Sequence, residues 1–103
     1  MVTAFYDKVL DSSLIAHHFE DVVMEQLIEH QTRFISFLMG GPARFTDEHL
    51  RRVHQRHAIS LPEFDEMVRL LTETLADHEF EARDVAMISH ELRRREPVIV
   101  SAR

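Results

Sequence analysis

Apolar residues recur along this chain with a helical period. Phe5, Tyr6, Val9 and Leu10 follow Thr3, a residue suited to an N-cap, and predict a short helix. Asp11-Ser12-Ser13 interrupts the pattern, and Leu14, Ile15, His18 and Phe19 predict one further turn. From about 21 to 39 there is no Gly or Pro, and Val23, Leu27, Phe34 and Leu38 share a stripe that also contains Gln31. This segment is expected to be the longest helix. Gly40-Gly41-Pro42 ends it, because Gly permits positive φ at a C-terminus and Pro cannot continue the ladder. Thr46 suits the next N-cap, with Asp47 and Glu48 in the first turn and favourable Asp47/Arg51 and Glu48/Arg52 spacings. Leu50, Val53, His54 and His57 form its inner face. Ser60-Leu61-Pro62-Glu63 supplies a capping box and an early Pro, and Phe64, Met67, Val68, Leu71 and Leu75 run on as the next helix. The stretch 77–81 breaks the run. Val85, Ile88 and Leu92 then mark a last helix, ending in Arg93-Arg94-Arg95 and stopped by Pro97. Residues 97–103 read as a tail, with a weak strand pattern in Val98-Ile99-Val100. The prediction is a single all-α domain over 1–103, with four main helices and one or two short turns.

Composition narrows what such a domain can do. With 103 residues, 45% of them apolar, there is material for one core and no second. A chain of this size buries a modest share of its surface, so a large apolar cofactor would help to fill the interior. Eighteen acidic against twelve basic residues leave a formal charge of −6, which argues against nucleic acid and anionic lipid as partners. The absence of Cys excludes disulfides, thiolate nucleophiles and cysteine-ligated zinc or iron–sulfur centres, and makes the cytoplasm the expected compartment. No stretch approaches eighteen apolar residues, and Met1-Val2-Thr3-Ala4-Phe5 carries no export pattern.

The chemistry available lies in histidine. There are eight, at 17, 18, 30, 49, 54, 57, 78 and 90, beside a single Tyr and no Trp. His54 and His57 stand one turn apart on an otherwise apolar face. Such a residue is either a core histidine bonded to a backbone carbonyl or a ligand to haem iron or another metal. The pair has metal-ligand spacing but no surrounding zinc-enzyme signature. Gln31 interrupts an apolar stripe and needs a hydrogen-bond partner. Tyr6, beside Phe5, reads either as a core aromatic or as a donor. Together a Tyr, a Gln and a His on three inward helix faces can line one pocket.

The order Phe5-Tyr6, His18-Phe19, Leu27-x-x-x-Gln31-x-x-Phe34, Gly40-Gly41-Pro42 and Leu50-Arg51-Arg52-Val53-His54 resembles the truncated haemoglobins of group I. The similarity runs from about Phe5 to Leu75. The resemblance implies a two-over-two helical sandwich around haem b, shortened at the N-terminus because the family's usual first helix has no counterpart before Phe5. It makes His54 the proximal iron ligand, Tyr6 and Gln31 the distal hydrogen-bonding pair, and Leu27 the residue at the distal gate. Phe19, Phe34, Leu50, Phe64 and Met67 would pack the pocket, and His30, Arg33 and Arg51 would lie near the propionates. The implied function is binding of dioxygen, NO and CO, for storage or sensing, or oxidation of NO to nitrate with the help of a reductase. The alternative is a haem-free helical interaction or regulatory module derived from a globin.

Overall fold

The structure is a computed structural model that describes residues 1–41, 46–55 and 57–101, with the backbone alone at Val53. Its elements in chain order are α1 (Val2–Asp11), a 3₁₀ turn (Ala16–Phe19), α2 (Met24–Leu38), α3 (Asp47–Gln55), α4 (Leu61–Asp77), α5 (Ala82–Arg94) and α6 (Glu96–Ile99). The expected stop at Pro42 and the inward side chain of Val53 fall outside the described residues.

Three of the chain's signals set helix ends as read. At the start of α4 the Ser60 hydroxyl accepts from the Glu63 N–H at 3.3 Å while Glu63 Oε1 accepts from the Ser60 N–H at 2.9 Å, with Pro62 in the first turn. At the end of α2 the Gly41 N–H donates to the Ser36 carbonyl and the Gly40 N–H to Phe37, at 2.8 and 3.0 Å, a Schellman closure. The two glycines serve different needs there. Gly40 takes a φ of 93°, and a Cβ on Gly41 would meet the Ser36 hydroxyl and carbonyl at 2.4 and 2.8 Å. Thr46 caps α3 through its hydroxyl, which accepts from the His49 N–H at 3.1 Å.

Elsewhere burial moves the boundaries. Helix α1 begins at Val2 rather than behind a Thr3 cap, because Val2 itself is buried. Helix α2 starts at Met24, so Val23 lies outside it and is exposed instead of joining the inner stripe. Val22 and Val23, both β-branched, precede the helix in extended or turn geometry. With 15 residues α2 is shorter than α4, whose 17 make it the longest helix among the described residues.

Helix α1 packs against α2 and α4, and α2 and α4 each also meet α5, so two helix pairs lie over one another. Phe5 and Val9 of α1, Phe34, Ile35 and Leu38 of α2, Leu70, Leu71 and Leu75 of α4 and Ile88 of α5 form the main core. Thr74 is fully buried there and spends its hydroxyl on the Leu70 carbonyl at 2.7 Å, which removes the desolvation penalty.

The expected tail is partly core. Pro97 does not stop the chain: it sits in the first turn of α6, a position where its missing N–H costs nothing. Ile99 and Val100 close a second cluster over Phe64 and Val68, and the Ser101 N–H donates to the Ile59 carbonyl at 2.9 Å. Helix α6 is also the packing partner of α3. Truncating Ile99 to Ala should therefore cost about 2–5 kcal/mol in chemical denaturation. A change within about 0.5 kcal/mol, the usual figure for a surface site, would mean that this segment is not core.

Candidate functional site

Between the helix pairs lies a cavity of about 330 Å³, in the range of small-molecule and cofactor pockets. Its walls are mainly apolar: Phe19 from the 3₁₀ turn, Leu27 and Phe34 from α2, Leu50 from α3, Phe64 and Met67 from α4. Polar side chains from three helices are among those that reach it: Tyr6 from α1, Gln31 from α2 and His54 from α3.

His54 owes its orientation to its own helix. Its Nδ1 lies 2.8 Å from the Leu50 carbonyl one turn earlier. A carbonyl can only accept, so Nδ1 carries the proton, and in the neutral ring the lone pair is on Nε2. Burial holds the imidazole below its ordinary pKa, against the opposing pull of the Leu50 carbonyl, and His57 lowers it further. The bond that a core histidine makes is thus present, and it is also the bond that readies a ring to bind a metal.

Tyr6 is almost completely buried, with its ring edge-on to Phe19 at 5.8 Å and tilted on Phe5 at 4.8 Å. Burial raises its pKa, so the phenol remains a proton donor at neutral pH. Among the described residues no protein group hydrogen-bonds its hydroxyl, nor the Gln31 side-chain amide. Both groups line the cavity, where they can donate to a bound ligand.

The residues expected near propionates divide. His30 lines the cavity, with its ring 6.1 Å from that of His49, and burial and then His49 hold its pKa below the usual value. Arg33 and Arg51 do not line it: Arg33 is exposed and pairs with Glu29 at 2.9 Å along α2, and Arg51 is exposed on α3. His57, expected on the inner face beside His54, lines the cavity, and so do His18, His49 and Glu63, which were not expected as wall residues. His57 lies beyond the end of α3, in the turn where its N–H donates to the His54 carbonyl at 3.0 Å. No local pattern joins His18 to Glu63, which meet at 2.6 Å although they lie 45 positions apart.

The bacterial-like globin family matches residues 1–100, and the chain belongs to that family. It is 29% identical over 76 residues to a group 1 truncated haemoglobin of Tetrahymena thermophila, which covers 74% of this chain and 63% of the relative. It is 30% identical over 80 residues to one from Synechocystis, covering 74% and 64%. The chain thus spans a little under two thirds of the length of these relatives. Among solved structures, the ferric truncated haemoglobin of Tetrahymena pyriformis superposes with a TM-score of 0.88 at 22% identity, over 97% of this chain and 86% of that one. Chlamydomonas reinhardtii THB4 gives 0.87 at 20% identity, over 96% and 82%. The architecture is therefore the two-over-two sandwich of the truncated haemoglobins, as the resemblance implied.

Globins hold haem, and the residues present fit that group: an apolar cavity, an imidazole with its Nδ1 proton committed, and two unpartnered donors. The protonation of His54 is directly testable. A ¹⁵N imidazole titration should place its midpoint below the ordinary 6.5 with the proton on Nδ1 at neutral pH. The folded ring gives up its proton more readily than the unfolded one, so stability should fall as pH drops from about 6.5 through the folded midpoint. A midpoint at or above 6.5, or a proton on Nε2, would contradict the geometry.

Proposed function

We propose that this chain binds haem b through His54 and takes up dioxygen, with CO and NO as further ligands, using Tyr6 and Gln31 as hydrogen-bond donors. The observation that carries the reading is the pairing of a tautomer-fixed His54 with unpartnered Tyr6 and Gln31 on the walls of one cavity. When bound, the haem iron supplies reversible diatomic-ligand binding and one-electron chemistry.

The remaining work belongs to the chain. His54 offers Nε2 as a neutral donor, and its depressed pKa keeps protons from competing for that lone pair at neutral pH. The Tyr6 O–H and the Gln31 N–H stabilise negative charge that gathers on a bound diatomic ligand, in a low-dielectric site where each such bond is strengthened. Leu27 stands one turn before Gln31 on α2 and shapes the approach to both donors. Phe19, Phe34, Leu50, Phe64 and Met67 exclude water. His30, on the cavity wall, would meet a propionate.

The donor pair also supports an enzymatic version, in which NO and O₂ combine to nitrate. That reaction consumes one electron per turnover, NO + O₂ + e⁻ giving NO₃⁻, so it requires a reductase as partner. The cysteine-free composition supports a cytoplasmic setting for both versions.

A hydrogen bond to charge is worth about 1.5–3 kcal/mol, so Tyr6→Phe should speed dioxygen release roughly ten- to a hundredfold in stopped-flow measurements. Release unchanged in Tyr6→Phe would remove Tyr6 from the distal site. Rapid consumption of NO by the oxygenated protein, impaired in the same variant, supports the enzymatic version; negligible consumption leaves reversible binding.

A further inference from the structure

Consecutive side chains on a regular α-helix diverge, yet His17 and His18 do not. On the 3₁₀ turn their ring centroids stand 4.1 Å apart, and both present Nε2 to one carboxylate oxygen, Glu63 Oε2, at 3.4 Å from His17 and 2.6 Å from His18. The other oxygen, Oε1, is held by the Ser60 N–H in the capping box. The carboxylate is therefore aimed from outside the cluster, by the bond that starts α4. All three donor atoms lie within 4.8 Å of one another.

We propose that His17 Nε2, His18 Nε2 and Glu63 Oε2 form a zinc site at the rim of the cavity, with a fourth position for water. Two imidazoles and one carboxylate are a donor set that zinc takes in three-ligand sites, and imidazole disfavours Mg²⁺ and Ca²⁺. A tetrahedral ion with bonds of about 2.0–2.2 Å holds its donors roughly 3.3–3.5 Å apart. His17 and Glu63 already stand at 3.4 Å. His18 and Glu63 need to part by less than about 1 Å to reach that spacing. The His17 side chain is 55% exposed, which gives it freedom to complete the geometry. Glu63 carries the negative charge that offsets part of the ion's. The site goes beyond the haem reading, since none of the three donors is assigned to iron or to its diatomic ligand. His18 and Glu63 nevertheless line the cavity, so the ion would sit at its edge.

The test is calorimetric titration of the haem-containing protein with zinc chloride in a buffer that does not bind zinc. The site predicts one zinc per chain at micromolar affinity. His17→Ala and Glu63→Gln should each weaken binding by about tenfold or more, since even an outer-sphere partner of a metal is worth that much. Gln serves at the third position of a capping box, so both variants are expected to keep the helical circular dichroism, and His17, which is not among the cavity-lining residues, should leave the haem spectrum unchanged when replaced by Ala. His90→Ala, at an exposed position on α5, should bind as the parent does. No saturable uptake at millimolar zinc, or affinity unchanged in both His17→Ala and Glu63→Gln, overturns the proposal and leaves the cluster as a histidine–carboxylate ion pair.

Discussion

The constraint on which this structure depends is that a chain of 103 residues closes around an apolar cavity of about 330 Å³. Its wall is mainly apolar and partly open to solvent, so a group that covers it gains roughly 25 cal/mol for each Å² of apolar surface removed from water. A domain this small has about 5–15 kcal/mol of stability altogether. Whatever fills the cavity is therefore part of the fold's energetics, and a large planar apolar group with one metal-binding point fits that need. The helix pairs supply walls rather than a continuous core, which is why residues such as Phe34, Leu50 and Phe64 are both core and lining.

The residues that give the cavity its chemistry are held by local bonds. The Leu50 carbonyl fixes the His54 ring, and α6 supports the helix that carries it. The Ser60–Glu63 capping box starts α4 and at the same time holds a carboxylate beside His18. Burial acts on the titratable groups in one consistent direction, keeping His54 and His30 neutral and Tyr6 protonated. Each then presents the form that a neutral ligand or a hydrogen-bond donor requires.

At three helix ends where the chain spells out a local rule, sequence and structure agree. Ser60-x-x-Glu63 with Pro62, the Gly40-Gly41 terminus and the Thr46 cap are rules of this kind. The end of α4 is closed in the same way as that of α2, but Glu79 rather than Gly takes the left-handed position, at φ 63°, so no residue announces it. Val2, Ile99 and Val100 extend helical or packed structure past the expected ends, because tertiary burial outweighs local signals. In the site, Tyr6, Gln31 and His54 were legible as polar residues interrupting apolar faces, and the resemblance joined them. The grouping of His18 and Glu63 was not legible: they are 45 positions apart, and only the 3₁₀ turn brings the two imidazoles onto one carboxylate.

The measurement that tests the central claim most directly is a haemin titration followed by visible spectroscopy, with the protein and its His54→Ala variant each reduced and then exposed to CO. The account predicts saturable uptake of one haem and a sharp band that shifts on reduction and again with CO. In His54→Ala that band should be lost or grossly altered while the helical circular dichroism persists. A folded protein that takes up no haem, or a spectrum indifferent to His54, would contradict it.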